Sequence, residues 1–237
     1  MTPAGLDQAL TLLRDGTIEL EGRLLDASNA TLYCSIRTGE LEGCCVYKPV
    51  RGERPLRDFP DGSLAEREVA AYEVSAATGW DIVPPTVLRD GPFGLGMCQL
   101  WIEIDESVDL GVLARSKHPG LRCMALFDAV INNADRKGGH LLPTAEGHVY
   151  GVDHGVTFHA EDKLRTLLWQ WRGRRLTDEE RAMLVGLRDD VALLNRLTEL
   201  LTPAEVAAYD RRLGRLISSG VFPQPSGDWP AIPWPPF

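Results

Sequence analysis

The chain has 237 residues, 44% of them hydrophobic and 25% charged, enough for one ample domain or two small lobes sharing a cleft, and neither disordered nor fibrous in composition. Its formal net charge of -9 argues against a general nucleic-acid binder, because affinity for a phosphate backbone is built from clustered Lys and Arg. The opening MTPAGLDQALTLLRDG has no basic, continuously apolar leader, and no window approaches the roughly 20 apolar residues of a membrane span, so a cytoplasmic protein without a stable membrane anchor is expected.

Leu6, Leu10 and Leu13 recur at helical spacing between Gly5 and Arg14, and Asp15-Gly16 closes that first helix. From Thr17 to Val50 the pattern turns strand-like: IELEGRLL, TLYCSIRT and GCCVYKPV, separated by turn formers, predict a three-stranded antiparallel meander. Its Cys34, Cys44 and Cys45, together with Cys98 and Cys123, show no zinc spacing and read as free thiols. A polar loop over 51–62 precedes a helix starting at Ser63. Two strands follow, Val83–Leu88 and Gly96–Ile102, joined by a Gly-rich turn.

The second half is helical in character. Leu121–Asn132 predicts an apolar helix, His140–Leu142 and Val149–Val152 two short strands, and helical periodicity dominates from Lys163 onward. Thr177 with Glu180 and Thr202 with Glu205 have the spacing of capping boxes that open helices at Asp178 and Pro203. The terminal FPQPSGDWPAIPWPPF predicts an extended, polyproline-like tail whose Trp229, Trp234 and Phe237 pack back on the surface. This order predicts an α+β, two-lobed protein-kinase-like fold, with a β-rich N-lobe over 1–103 and a mostly helical C-lobe over 104–237.

Four features in the chain carry chemistry. Lys48 ends the third strand, where a rigid element aims a point charge suited to nucleotide phosphates. On the helix that follows, Glu66 and Glu68 are carboxylates able to pair with it, and Glu68 is preferred because Val69-Ala70-Ala71-Tyr72 lets that face approach a sheet. In FDAVINNADRKGGHLL an apolar helix ends and presents Asp135 on a flexible loop, placed to orient or deprotonate a hydroxyl. There Arg136 or Lys137 would offset charge on a transferred phosphoryl group. Asp153 ends a short strand before His154-Gly155, a position suited to a divalent metal that bridges phosphates.

Together these motifs resemble the phosphatidylinositol 3- and 4-kinase-related branch of the protein-kinase-like superfamily, above all the type II phosphatidylinositol 4-kinases, and small actinobacterial kinase-like proteins. The likeness runs from Leu24 to Phe158. It rests on Glu68–Tyr72 for the Glu-x-Ala-Ala-Tyr helix, Gln99–Ile102 for the hinge, and Asp128, Asn133, Asp135 and Arg136 for the catalytic loop. The resemblance implies phosphate binding by Lys48, adenine against the backbone of Gln99, Trp101, Ile102 and Glu103, catalysis by Asp135, metal at Asp153, and a phosphate-covering turn at Ser28-Asn29. It also places His140 where the family carries a metal-binding asparagine, which leaves three readings open: a metal preference moved from Mg²⁺ toward Mn²⁺ or Zn²⁺, a His140 outside the metal shell with the second ion missing, or a site that binds nucleotide without efficient transfer.

The expected activity is therefore ATP-dependent transfer of the γ-phosphoryl group to a hydroxyl of a lipid head group, a small metabolite or a protein. Two alternatives stand beside it, a catalytically weak nucleotide-binding regulatory module and an AMP transferase. The cations of KLRTLLWQWRGRR, from Lys163 to Arg175, offer a contact for an anionic substrate or surface.

Overall fold

The computed structural model describes residues 2–24 and 30–237, so the Ser28-Asn29 turn lies outside the described residues. Helix α1 (Pro3–Asp15) begins where the Thr2 hydroxyl accepts from Gly5 N and ends at Gly16, whose amide donates to Leu12 O. Strands β1 (Thr17–Arg23), β2 (Leu32–Thr38) and β3 (Leu41–Pro49) form the predicted meander. Helix α2 (Leu64–Thr78) separates it from β4 (Thr86–Gly91) and β5 (Gly94–Leu100). The five strands make one antiparallel sheet in the order β1-β2-β3-β5-β4. β4 starts at Thr86 and not at Val83 because Pro84 and Pro85 have no N–H for a ladder.

Strand alternation decides what each face of this sheet does. Cys45 and Tyr47 of β3 point into a core with Leu12 and Leu13 of α1, Cys34, Ile36 and Cys98. Gly16 has to be small here, since a Cβ would lie 2.5 Å from a carbon of Ile36. The intervening Lys48 therefore faces the opposite side, beside Met97 in register, where Met97 packs on Ala65 and Val69 of α2. Helix α2 is held at its start by Glu53, whose carboxylate accepts from Leu64 N (3.1 Å) and Ala65 N (2.8 Å), satisfying two amides that have no partner within a helix.

The C-lobe is built around α4 (Pro119–Ile131), whose residues from Met124 to Ile131 are all buried, following the short α3 (Leu110–Arg115). Asn132 ends α4 in the left-handed conformation (φ 54°), which asparagine tolerates, and its side-chain amide donates to His159 O (3.0 Å) and Glu161 O (2.6 Å). Strands β6 (Leu141–Pro143) and β7 (Val149–Gly151) pair antiparallel, with His140 just before β6 in a 3₁₀ turn. Helices α5 (Asp178–Asp189) and α7 (Pro203–Ser219) open on the predicted capping boxes, with α6 (Val191–Leu200) between them.

Two expectations change. Lys163–Arg175 is not helical: apart from a 3₁₀ turn at Trp169–Trp171 it runs irregularly, and Arg136 and Thr166 form an isolated parallel bridge. Both tryptophans are buried, and the segment packs against the loop after α4, with Arg136 N on Arg165 O (3.1 Å) and Arg165 N on Asn133 O (2.9 Å). In the tail, Trp234 is 88% exposed and does not pack back, whereas Trp229 sits under Lys163, whose Nζ is 4.8 Å from the ring centre.

Candidate active site

The cleft between sheet and helices brings together groups from distant parts of the chain. Lys48 Nζ lies 2.6 Å from Glu68 Oε1 and 2.8 Å from Asp153 Oδ1. Glu68 has its other oxygen on the backbone N–H of His154 (2.8 Å), so one carboxylate on α2 ties the sheet's cation to the loop after β7. Asp135, Lys48, Glu68 and Asp153 line one cavity of about 50 Å³.

Electrostatics separate these carboxylates by role. The Lys48 ammonium holds Asp153 far below the usual carboxylate range, and Asp153 adopts φ 63°, a backbone state sparsely populated outside glycine. Burial opposes charge on Lys48, but Asp153 and Glu68 outweigh it and hold the lysine above its ordinary value. Burial raises Glu68 and Asp135, against the lowering pull of Lys48 on the first and Lys137 on the second. Asp135 is thus a better proton acceptor than a surface aspartate. Its backbone N–H donates to Asn133 Oδ1 (2.9 Å), and Lys137 Nζ lies 3.1 Å from its Oδ2.

Arg136 corrects the expectation that it meets the transferred group. It is 0% exposed and committed inward: Nε and Nη2 bond Asp128 at 2.9–3.2 Å, and Nη1 donates to Val152 O at 3.1 Å. Its Nη2 is also 2.5 Å from His154 Nε2. A guanidinium has only donors, so His154 Nε2 accepts and the ring proton sits on Nδ1, a buried nitrogen with no hydrogen-bond partner among the described residues. Arg136 therefore joins the loop after α4 to the Asp153 loop, and of the two cations expected at the transferred group it is Lys137 that pairs with Asp135.

His140 Nε2 lies 3.4 Å from Asp153 Oδ2, and burial holds its pKa down to about 4 from 6.5, leaving a neutral imidazole. A carboxylate and a neutral imidazole at this separation fit a divalent cation whose remaining ligands are phosphate oxygens and water. Among the described residues no cluster of three or more His, Cys, Asp or Glu is placed to hold a metal ion.

Gln99 is buried and donates to Thr86 Oγ1 (2.8 Å), bracing the end of β5. The chain then crosses between lobes, with Trp101 N on Cys44 O (3.0 Å) and Asp105 N on Pro143 O (2.8 Å). Ile102 and Glu103 lie between those two ties, and Trp101 Nε1 donates to Glu103 (3.0 Å). Of the proposed surface cations, Lys163 is buried and paired with Asp58 at 2.7 Å, so only Arg172, Arg174 and Arg175 are exposed.

Nothing in the sequence marked Arg67, which is 1% exposed, bonds Glu205 Oε1 (2.5 Å) and Thr157 O (2.9 Å), and so latches α2 to the C-lobe. Neither its spacing nor its neighbours distinguish it from a solvated helix residue. His154 had one available signal, its place between Asp153 and Gly155.

No protein-family model matches the chain. Its fold is shared with crystal structures of the Golgi casein kinase (TM-score 0.60, 15% identity, 92% of this chain and 74% of that chain). One of these holds Mn and ADP (TM-score 0.60, 15% identity, 92% of this chain and 76% of that chain). A Helicobacter pylori proinflammatory kinase, CtkA, also shares it (TM-score 0.55, 12% identity, 89% and 94% of the two chains). In sequence the chain is 42% identical to Protein Rv2133c of Mycobacterium tuberculosis, with 98% of this chain and 96% of that protein covered. The protein has a two-lobed protein-kinase-like fold and belongs to the family of Protein Rv2133c.

Proposed function

We propose that this protein is an ATP-dependent phosphotransferase that moves the γ-phosphoryl group to a hydroxyl. The observation that carries the reading is convergence: Lys48, Glu68 and Asp153 lie within 2.8 Å contacts in a cavity that Asp135 also lines. Lys48 would hold α and β phosphates and Glu68 would hold Lys48. Asp153 and His140 would hold a divalent ion, which when bound screens the phosphate charge. Asp135 accepts the hydroxyl proton, and Lys137 beside it offsets charge on the transferred group. The likeness to lipid kinases rests on the sequence motifs alone.

The test is ATP turnover with Mg²⁺ or Mn²⁺ by the wild type and by Asp135→Asn. Loss of turnover with nucleotide affinity kept supports the reading. Wild-type binding without turnover would favour the regulatory-module reading, which the buried His140 in the metal position motivates. Products carrying AMP instead of phosphate would favour adenylyl transfer.

A further inference from the structure

After α7 the chain turns back at Gly220 and runs without regular structure along the C-lobe to the catalytic loop. Its course is set by main-chain contacts. Phe222 and Arg174 share a hydrogen bond of 2.9 Å, and Ala231 O accepts from both Thr166 N (3.1 Å) and Trp169 Nε1 (2.8 Å). Pro236 O then accepts from Gly138 N (2.8 Å), three positions beyond Asp135. The Phe237 ring lies so close over Gly138 that a Cβ there would come within 1.9 Å of it, so this approach requires glycine.

The segment is not a core element. Ile232, Trp234 and Phe237 are 47%, 88% and 55% exposed, and its prolines cannot donate to a ladder. It lies on the catalytic loop as an extended peptide lies on a receptive edge, by backbone pairing and a side-chain anchor. Residues 227–237 include no Ser, Thr or Tyr, so no side chain in this stretch offers a hydroxyl to a phosphoryl group.

We propose that Ile232–Phe237 is a pseudosubstrate that occupies the acceptor's lane on the catalytic loop, and that the acceptor is an extended polypeptide carrying its hydroxyl among proline and aromatic residues. The inference rests on the phosphotransferase reading. In the implied step the hydroxyl oxygen bonds to the γ phosphorus, the bond from that phosphorus to the β–γ bridging oxygen breaks, the proton passes to Asp135, and ADP leaves.

The full chain with Pro236→Ser, and separately with Phe237→Tyr, is incubated with ATP and Mn²⁺ and mapped by mass spectrometry. The expected result is a phosphoryl group on the new hydroxyl of at least one variant, absent when Asp135→Asn is added. A chain ending at Ala231, which keeps the Ala231 contacts, is compared with the full chain on a synthetic peptide copying 229–237 with serine in place of Pro236. Its KM for the peptide is expected to fall about tenfold or more, because a tethered competitor acts at high effective concentration, while its KM for ATP stays the same. New hydroxyls left unmodified together with an unchanged peptide KM overturn the proposal. Hydrogen exchange at the Gly138 amide separates the two readings without turnover: slow exchange in the full chain and fast exchange in the shortened one support the strap even if ATP is never consumed. Equal exchange in both overturns it even if ATP is consumed.

Discussion

Asp128 and Arg136 face each other with no exposure to solvent, joined by hydrogen bonds of 2.9–3.2 Å. The same carboxylate accepts from Asn133 Nδ2 (3.0 Å) and Thr166 Oγ1 (3.2 Å), so one buried anion organises the end of α4, the loop that follows it and the layer behind it. Removing one partner of such a pair strands the other charge in the interior. Asp128→Ala is therefore expected to destabilise the protein by about 3–5 kcal/mol. Thermal or denaturant unfolding checks this, and a change within about 0.5 kcal/mol, the size of an ordinary surface substitution, contradicts it.

The environment of His140 gives a prediction in metal choice and in pH. Exchanging its imidazole for an amide oxygen in His140→Asn should shift nucleotide binding from Mn²⁺ toward Mg²⁺, which is read from ATP affinity with each ion. The folded imidazole binds its proton at about 4 against 6.5 for an unburied one. A group that binds protons less readily when folded costs stability as pH falls, beginning below about 6.5 and complete below about 4. Denaturant unfolding across that window should be less acid-sensitive in His140→Asn, with the share due to His154, also held well below its ordinary value, remaining.

Leu13 shows how the N-terminal helix contributes. It is 0% exposed in the cluster beneath β2 and β3. Leu13→Ala should cost about 2–5 kcal/mol through lost transfer energy and the cavity left behind. The lesion lies on the sheet face away from Lys48, so nucleotide affinity measured below the new melting temperature should stay unchanged.

Thr202 caps α7, its hydroxyl accepting from Glu205 N, while Glu205 Oε2 accepts from Thr202 N (2.9 Å). Thr202→Ala should cost about 1 kcal/mol, the usual loss for a single cap. Glu205→Ala removes the cap's other half and also strands the buried Arg67, so its cost should reach about 3–5 kcal/mol. Comparing the two unfolding curves checks the ordering, and equal losses would show that the Arg67–Glu205 latch adds nothing.

Local rules made much of this fold legible. Period-two alternation identified the meander, and capping spacing located α5 and α7, because those signals act within a few residues. Lys48, Glu68, Asp135 and Asp153 could be singled out because each sits where an element ends or approaches another closely. The inward turn of Arg136 was not legible: Asp128 is eight residues earlier, and only the fold shows that its carboxylate is buried beneath the loop. For Lys163–Arg175 the helical periodicity yielded to tertiary packing, since Thr166 pairs with Arg136 and Trp169 with the tail. The seating of Phe237 on Gly138 joins residues about a hundred positions apart, beyond any spacing rule.

Titration of the purified protein with ATP and Mn²⁺ by calorimetry, alongside Lys48→Met, tests the nucleotide cleft most directly. The wild type should bind with one-to-one stoichiometry and the variant should lose most of that affinity while remaining folded. Equal affinity in both proteins, or no binding by the wild type with either Mn²⁺ or Mg²⁺, would contradict a phosphate-gripping role for the Lys48, Glu68 and Asp153 cluster.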